Sequence, residues 1–350
     1  MNNRISTLQK RMSRHGVSNL FITSLSDIYY FTGFTGSTAN LFVTPDSAVF
    51  TTDGRYTEQA GRQIGSDAEI RIVQDYRKAL TEIADKISSI TVTYDCGLNE
   101  YEYLYEELKD VRIENTGLID YMRAVKDEGE LDKIREMFLC ASDSFHASLE
   151  YFKPGIKELF WAAELEKNMK MNGARCPSFD TIVGSGYRGA MPHGIASDKI
   201  VEKGDAVVVD FGSKKEYCSD VTRLVKTGPD SEVDKIADIV YTALSKAKDA
   251  VRAGVKCSDI DAVARDYIAS KGYEEYFNHG LGHGVGIDVH EKPVFNPRDH
   301  TVLEENMVLT IEPGIYLPER FGVRLEDTIV VKNDGCENLT AVFEKYIYDI

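Results

Sequence analysis

The sequence has few of the features that identify secreted, membrane-embedded or zinc-finger proteins. Its 350 residues include six cysteines, which are scattered and form no Cys-x-x-Cys pair, and this argues against a zinc cluster or a disulfide framework. No stretch approaches the roughly 20 apolar residues of a membrane span, and the N-terminal segment lacks the apolar run of a signal peptide. We therefore expect a cytoplasmic protein with reduced thiols.

Positive charge is also in deficit. The chain has 57 Asp and Glu residues against 41 Lys and Arg, and its formal net charge is -16 at pH 7. Nucleic acids and anionic membranes are bound by positive surfaces, so we expect neither as a partner. The 43% of hydrophobic residues suffices for a substantial core, and the length predicts two domains or one large one.

The first third of the chain is typical of an α/β domain, because short apolar strands alternate with helical stretches. The predicted helices lie at 4–14, 80–87 and 101–108, and the predicted strands at 17–23, 41–44, 48–52, 70–73, 90–94 and 111–114. Two segments rich in Gly, Ser, Thr and Asp, at 32–37 and 52–56, are interpreted as turns. A domain boundary is expected within 121–127.

The remaining two thirds predict long helices and further strands from their apolar spacing. The predicted helices lie at about 131–152, 156–171, 233–251 and 263–268, and the predicted strands at 206–211, 221–226, 307–311 and 324–331. Gly254 and Gly272 are expected to close the third and fourth of these helices, because glycine adopts the left-handed conformation that ends many helices.

The stretch 278–291 combines three histidines with four glycines. His279, His283 and His290 are separated by glycines that allow backbone to approach a ligand closely. Histidine is the commonest metal ligand and a proton-transfer group near neutral pH. Taken alone, the stretch is explained equally well as a glycine-rich surface loop with solvated histidines.

Four acidic residues in apolar surroundings favour a role for these histidines as metal ligands or proton-transfer groups. Asp210 ends an apolar strand, Asp220 begins the next, Glu312 follows an apolar run, and Glu326 lies within a predicted strand. Each alone is explained by a salt bridge or a strand-end cap, but together they require compensation, because burying an ionised carboxylate is costly. Carboxylates with imidazole and no thiols suit Mn, Co or Fe, with Zn as an alternative. Four acids exceed the need of one divalent ion and suggest two ions roughly 3.5–4 Å apart.

Seven motifs occur in order along this part of the chain. They are PHG at 192–194, VDFG at 209–212, SDVTR at 219–223, HGLGHGVG at 279–286, HE at 290–291, IEPGIY at 311–316 and GVRLED at 322–327. As a set they resemble the metallopeptidase family of prolidase, aminopeptidase P and methionine aminopeptidase, over about residues 125–350. The resemblance implies a creatinase/prolidase-like α/β N-terminal domain at 1–122 and an α+β pita-bread catalytic domain at 123–350. GFTGS and TDGRY in the first third resemble the proline-specific branch.

The resemblance also implies roles for individual residues. The ligands of two divalent ions, Mn or Co before Zn or Fe, would be Asp210, Asp220, His283, Glu312 and Glu326, with Asp220 and Glu326 bridging. The catalytic residues would be Glu312, which moves the proton of the attacking water, His290, which stabilises the tetrahedral intermediate, and His193. The substrate site would be lined by His193, His279, His290 and Arg324.

The activity that the resemblance implies is metal-dependent hydrolysis of the peptide bond preceding proline, in small peptides with proline at the second position. We favour an Xaa-Pro dipeptidase of the prolidase kind, with an Xaa-Pro aminopeptidase acting on longer peptides as the alternative. A metal-free enzyme of the creatinase kind and a non-catalytic pita-bread binding protein are further alternatives. The family also implies a homodimer.

One departure from the family pattern concerns the two aspartates. Asp210 and Asp220 stand one residue closer than is usual in the family, and the connection at 212–218 lacks a glycine of the family's turn. Because antiparallel strands joined by a turn carry both acids, we expect even the shorter hairpin to present them on one face.

Overall fold

The computed structural model describes residues 4–84 and 86–350. The chain forms two compact units, of which the first ends at Met122 and the second runs from Arg123 to Ile350. The predicted first domain includes residues 1–3 and Asp85, and the predicted helix at 80–87 includes Asp85. These residues lie outside the described part of the chain.

The first unit is built on a six-stranded sheet of order β4-β3-β2-β1-β5-β6. Its strands are β1 (Leu20–Ile22), β2 (Asn40–Val43), β3 (Ala48–Thr52), β4 (Glu69–Ile72), β5 (Ile90–Val92) and β6 (Val111–Ile113). Its helices are α1 (Arg4–Arg14), α2 (Leu25–Thr32), α3 (Thr57–Gln63), α4 (Tyr76–Ala84) and α5 (Leu98–Leu108), and α6 (Leu118–Ala124) contains the division between the units. β2 pairs antiparallel with both β1 and β3, whereas β4 pairs in parallel with β3, β5 with β1, and β6 with β5. The predicted α/β architecture is confirmed.

Local sequence explains several of these elements. α1 has the predicted bounds, because Ile5, Leu8 and Met12 fall on one helical face and are buried. Of the two segments interpreted as turns, 32–37 contains the end of α2 followed by residues without regular structure, and Gly54–Tyr56 in the other forms a short 3₁₀ helix. Gly33, with φ of 74°, ends α2, and the Asp53 side chain accepts a hydrogen bond from the backbone N–H of Arg55.

The second unit combines four long helices with two main sheets. The helices are α7 (Glu128–Ser148), α8 (Glu158–Met171), α9 (Ser231–Ala250) and α10 (Cys257–Ser270). One sheet has the order β19-β11-β9-β8, from β8 (Ile182–Ser185), β9 (Ala206–Phe211), β11 (Val221–Lys226) and β19 (Ile347–Asp349). The other has the order β13-β12-β14-β17-β18, from β12 (Gly282–Gly284), β13 (Glu291–Phe295), β14 (Val308–Ile311), β17 (Asp327–Lys332) and β18 (Gly335–Asn338). Two small ribbons pair β7 (Cys176–Pro177) with β10 (Ser213–Lys214), and β15 (Gly314–Leu317) with β16 (Phe321–Arg324).

The core of the second unit supports the strands that carry the acidic residues. α9 and α10 contribute Val240, Leu244 and Ile260 to one buried cluster that also contains Leu309 of β14 and Val323 of β16. Removing such side chains from water is the main stabilising contribution to folding. The strand ends that precede Glu312 and Glu326 are therefore fixed by a packed core.

Two predictions about element bounds are wrong. The predicted strand at 324–331 is two strands in different sheets, β16 and β17, and Glu326 lies between them rather than within a strand. The chain leaves one sheet for the other here because the N–H groups of Leu325 and Glu326 donate to Pro313 and Thr222. α9 ends at Ala250, four residues before Gly254. The chain turns away here because the N–H groups of Ala253 and Gly254 donate to the carbonyl oxygens of Lys332 and Leu303.

Candidate metal centre

Three carboxylates from separate elements converge in the second unit. Asp210 lies near the end of β9, Asp220 immediately before β11, and Glu326 between β16 and β17. One oxygen atom of each lies within 4.8 Å of the others. All three side chains are buried, and Asp210 Oδ1 and Glu326 Oε1 have no hydrogen-bond partner among the residues that the structure describes. Because a buried carboxylate oxygen without a partner is costly, this cluster fits bound cations.

The pairing of β9 with β11 brings the two aspartates together. Asp210 lies directly opposite Thr222 in the antiparallel ladder, and Asp220 is two residues before Thr222, so both acids share one face of the sheet. The tight connection depends on Gly212, where a Cβ would lie 1.9 Å from the Ser219 carbonyl oxygen. The shorter spacing between the aspartates is thus compatible with a shared site.

His283 and Glu312 complete the cluster. His283 Nε2 lies 3.5 Å from Asp220 Oδ2 and 3.4 Å from Glu312 Oε1. The other ring nitrogen, Nδ1, lies 3.0 Å from the carbonyl oxygen of Gly284, which can only accept, so the proton is on Nδ1. Nε2 of the neutral ring therefore turns a lone pair toward carboxylate oxygens, an arrangement that needs a cation or a proton between them.

The electrostatics of the cluster show how crowded its negative charge is. Burial and neighbouring carboxylates raise the pKa of Asp220 and Glu326 well above their ordinary values. Burial also raises the pKa of Glu312 to about 8, with Asp210 adding to the rise and Arg324 opposing it. For His283, burial and the neighbouring His290 lower the pKa to about 4, so its ring is neutral at pH 7. Four carboxylates and a neutral imidazole are a donor set that suits divalent ions.

A hydrogen-bonded chain leads from the cluster to His279. Arg324 Nη2 donates to Asp210 Oδ2 at 2.6 Å, and Arg324 Nη1 donates to the Tyr316 hydroxyl at 3.0 Å. The Tyr316 hydroxyl lies 3.0 Å from His279 Nε2, and His279 Nδ1 lies 2.7 Å from the carbonyl oxygen of Gly280. Because that carbonyl only accepts and arginine only donates, His279 is protonated on Nδ1 and Tyr316 donates to Nε2. Both ring nitrogens of His279 are thus occupied within the protein.

The centre opens into a cavity of about 880 Å³, whose lining residues all belong to the second unit. Of the nine residues predicted for the site, eight line the cavity, namely His193, Asp210, Asp220, His279, His283, His290, Glu312 and Arg324. The ninth, Glu326, is buried and lies with Asp210 and Asp220 in the carboxylate cluster. His290 packs against His283 with ring centroids 4.4 Å apart. Burial and the nearby His193 lower the pKa of His290. Apolar side chains, including Phe179 and Val294, form the rest of the wall.

Two contributors were not singled out by sequence reasoning. Tyr316 lies inside the IEPGIY motif, which was the available signal, yet its bonds to Arg324 and His279 depend on tertiary structure. Glu291 follows His290 in the chain, and its buried carboxylate pairs with Arg123 and Lys126. These pairs anchor the backbone beside His290.

Comparison with known proteins agrees with this architecture. A family model described as Metallopeptidase family M24 matches residues 132–333, and one described as Creatinase/Prolidase N-terminal domain matches residues 4–125. The chain is 37% identical over 348 residues to the Xaa-Pro dipeptidase of Pyrococcus horikoshii, with 97% of each chain covered.

Solved structures give the same result. An Xaa-Pro dipeptidase from Bacillus anthracis superposes with a TM-score of 0.93 at 35% identity, and an X-Pro aminopeptidase from Thermotoga maritima with 0.90 at 38%, each over 99% of both chains. The predicted fold class, an α/β N-terminal domain followed by a pita-bread catalytic domain, is confirmed. In the described residues no helix is both long enough and apolar enough to cross a membrane. The chain belongs to metallopeptidase family M24 and carries a Creatinase/Prolidase N-terminal domain.

Proposed function

We propose that this protein hydrolyses the peptide bond preceding proline in dipeptides, as an Xaa-Pro dipeptidase. The observation that carries the proposal is the buried cluster of Asp210, Asp220 and Glu326, in which one carboxylate oxygen of each residue lies within 4.8 Å of the others. The similarity to Xaa-Pro dipeptidases over nearly the whole chain supports the choice of substrate.

Membership of a metallopeptidase family implies divalent metal ions. The residues proposed to hold two of them are Asp210, Asp220, His283, Glu312 and Glu326. The oxygen-rich set without thiolate favours Mn or Co over Zn or Fe. When bound, the ions supply acidified water and a polarised substrate carbonyl.

The remaining chemistry belongs to side chains at the cavity. Glu312 accepts a proton from the attacking water and passes it to the proline nitrogen, which must be protonated to leave. His290 donates a hydrogen bond to the developing oxyanion, and loss of one such donor typically costs roughly 3–4 kcal/mol of barrier. His193 lies beside His290 and contacts the substrate. Arg324 holds Asp210 in place, and His279 contributes ring surface, since both its nitrogens are already bonded.

The free carboxylate of a dipeptide needs a cation in the cavity, and three arginines line it. Arg324 is paired with Asp210 and Arg265 with Asp261. Arg298 makes no ion pair with any residue that the structure describes, which leaves its charge available for the substrate carboxylate. An Xaa-Pro aminopeptidase is the second candidate, because the similarity to the Thermotoga maritima enzyme is equally extensive.

Three further predictions from the sequence are kept as part of this proposal. The N-terminal domain comprises 1–122 and the catalytic domain 123–350. The active form is a homodimer, and its location is cytoplasmic. Size-exclusion chromatography with light scattering tests the dimer directly.

The test of function is a panel of Ala-Pro, Ala-Pro-Ala and Met-Ala-Ala, assayed after chelation and then with Mn, Co or Zn added. We expect hydrolysis of Ala-Pro that depends on added metal and is lost in Glu312→Gln. Cleavage of Ala-Pro-Ala after its first residue, with Ala-Pro untouched, would assign the aminopeptidase instead. Preference for Met-Ala-Ala, or full activity of the chelated protein, would contradict both.

A further inference from the structure

The buried carboxylate of Glu158 lies outside the metal centre and has no part in the chemistry above. It is the first residue of α8, and its side chain has no exposed surface. Five donors surround it. Oε1 accepts from the backbone N–H and the hydroxyl of Ser185 at 2.8 and 2.7 Å, and Oε2 from Arg188 Nε at 2.9 Å and from the backbone N–H and hydroxyl of Ser197 at 3.1 and 2.6 Å.

These donors lie at both ends of one segment, 185–197. Ser185 ends β8, Ser197 stands 12 positions later, and Arg188 lies between them. Arg188 also donates from Nη2 to the carbonyl oxygen of Ile195 at 2.5 Å. One carboxylate therefore closes the segment into a loop. The carboxylate itself is held at the N-terminus of α8, where negative charge is favourable.

The loop carries part of the cavity wall. Pro192, His193 and Ile195 all line the cavity, and the Pro192 carbonyl oxygen accepts from Arg324 Nη1 at 2.9 Å. The His193 side chain is exposed and has no hydrogen-bond partner among the described residues. Its place in the cavity is therefore set by the backbone of the loop, and the carboxylate of Glu158 holds that backbone at both ends.

We propose that Glu158 is a positioning residue for catalysis, which fixes the loop 185–197 and thereby places His193 against the substrate. This inference rests on the proposed function for its kinetic consequence. Its structural content, that one carboxylate orders the loop, is independent of which substrate is cleaved. A role in overall stability alone would give a different result in the cycle below.

The kinetic test is a double-mutant cycle with Glu158→Gln and His193→Ala. Gln keeps the side-chain volume but turns an NH₂ group toward donors. We expect kcat/KM for Ala-Pro to fall about 10- to 100-fold in the single variant, because a misplacement of about 1 Å is enough for such a loss. In the His193→Ala background, adding Glu158→Gln should lower kcat/KM by less than about threefold, because the effects of coupled residues are not additive.

The matched control is Glu164→Gln on the same helix, where Glu164 forms an ordinary ion pair with Lys167. It should leave kcat/KM near the wild-type value in both backgrounds. Should Glu158→Gln fail to fold, Glu158→Asp keeps the charge and draws the oxygens back from their donors, so a smaller loss with the same non-additivity is expected. Losses that multiply independently in the cycle would overturn the proposal.

The structural test is hydrogen–deuterium exchange on the metal-free protein. Faster exchange confined to 186–196 is expected in Glu158→Gln and absent in Glu164→Gln. Unchanged protection of the loop would overturn the proposal even if activity were lost. If the wild-type protein cleaves no Xaa-Pro peptide with any metal, the proposed function fails, while the exchange result still decides whether Glu158 orders the loop.

Discussion

Replacing Glu312 by Gln in the metal-free protein tests the charge crowding at the centre. Burial raises the pKa of Glu312 from its ordinary value of 4.5 to about 8. The folded state then binds this proton more tightly than the unfolded state, so the proton's contribution to stability is present at low pH and is lost as the pH rises toward 8. Gln does not ionise, so the variant does not lose this stability as the pH rises.

The size of the effect follows from proton linkage. Over the whole range from 4.5 to about 8, the penalty on the wild-type protein grows to roughly 4–5 kcal/mol, and between pH 5 and pH 7 it grows by roughly 2–3 kcal/mol. Burial lowers the pKa of His279 and His283 to about 4, and this gives stability the opposite pH dependence in the same range. The comparison must therefore be between variant and wild type, in which the histidine contributions cancel.

The assay is urea unfolding of both chelated proteins at pH 5, 6 and 7. Relative to the wild type, the free energy of unfolding of Glu312→Gln should increase by roughly 2–3 kcal/mol between pH 5 and pH 7. With Mn added, the wild type should become the more stable protein. Metal that binds only the folded state stabilises that state, and the variant has lost one proposed metal ligand. A difference between the two proteins that stays constant with pH would refute the reasoning, as would equal stabilisation of both by Mn.

Three further predictions follow from single contacts. Tyr316→Phe removes the hydroxyl between two buried groups and should cost roughly 1–3 kcal/mol in urea unfolding; no loss would show that the hydroxyl is dispensable. Arg298→Ala should raise KM for Ala-Pro roughly 10- to 100-fold, which corresponds to the loss of one charge-assisted hydrogen bond. KM for Ala-Pro-amide, which has no free carboxylate, should stay unchanged. Equal changes in KM for both peptides would show that Arg298 does not bind the substrate carboxylate. Gly282→Ala should cost roughly 2–3 kcal/mol of unfolding free energy, because its Cβ would lie 2.0 Å from the Thr310 carbonyl oxygen. The control for it, Gly61→Ala in a helix with open space around it, should instead stabilise by about 0.5–1 kcal/mol.

The helix α1 and the strands β9 and β11 were predictable because their signals are local. An apolar stripe at helical spacing defines α1, and the valine-rich run 206–209 indicates β9. Both β9 and β11 have the predicted bounds. The end of α9 was not predictable in this way, since hydrogen bonds to Leu303 and Lys332, distant in sequence, redirect the chain before Gly254. The single strand expected at 324–331 failed for the same reason.

The sequence by itself determined the residue types of the centre and their order along the chain, because acids in apolar runs and histidines among glycines are visible as local patterns. Only the tertiary structure decided that these side chains converge on one site, which ring nitrogen of His283 and of His279 carries the proton, and that Tyr316 and Glu158 take part. Each of these depends on distances between segments far apart in the chain. Such distances are set by packing and by hydrogen bonds between elements, and local sequence patterns carry no information about them.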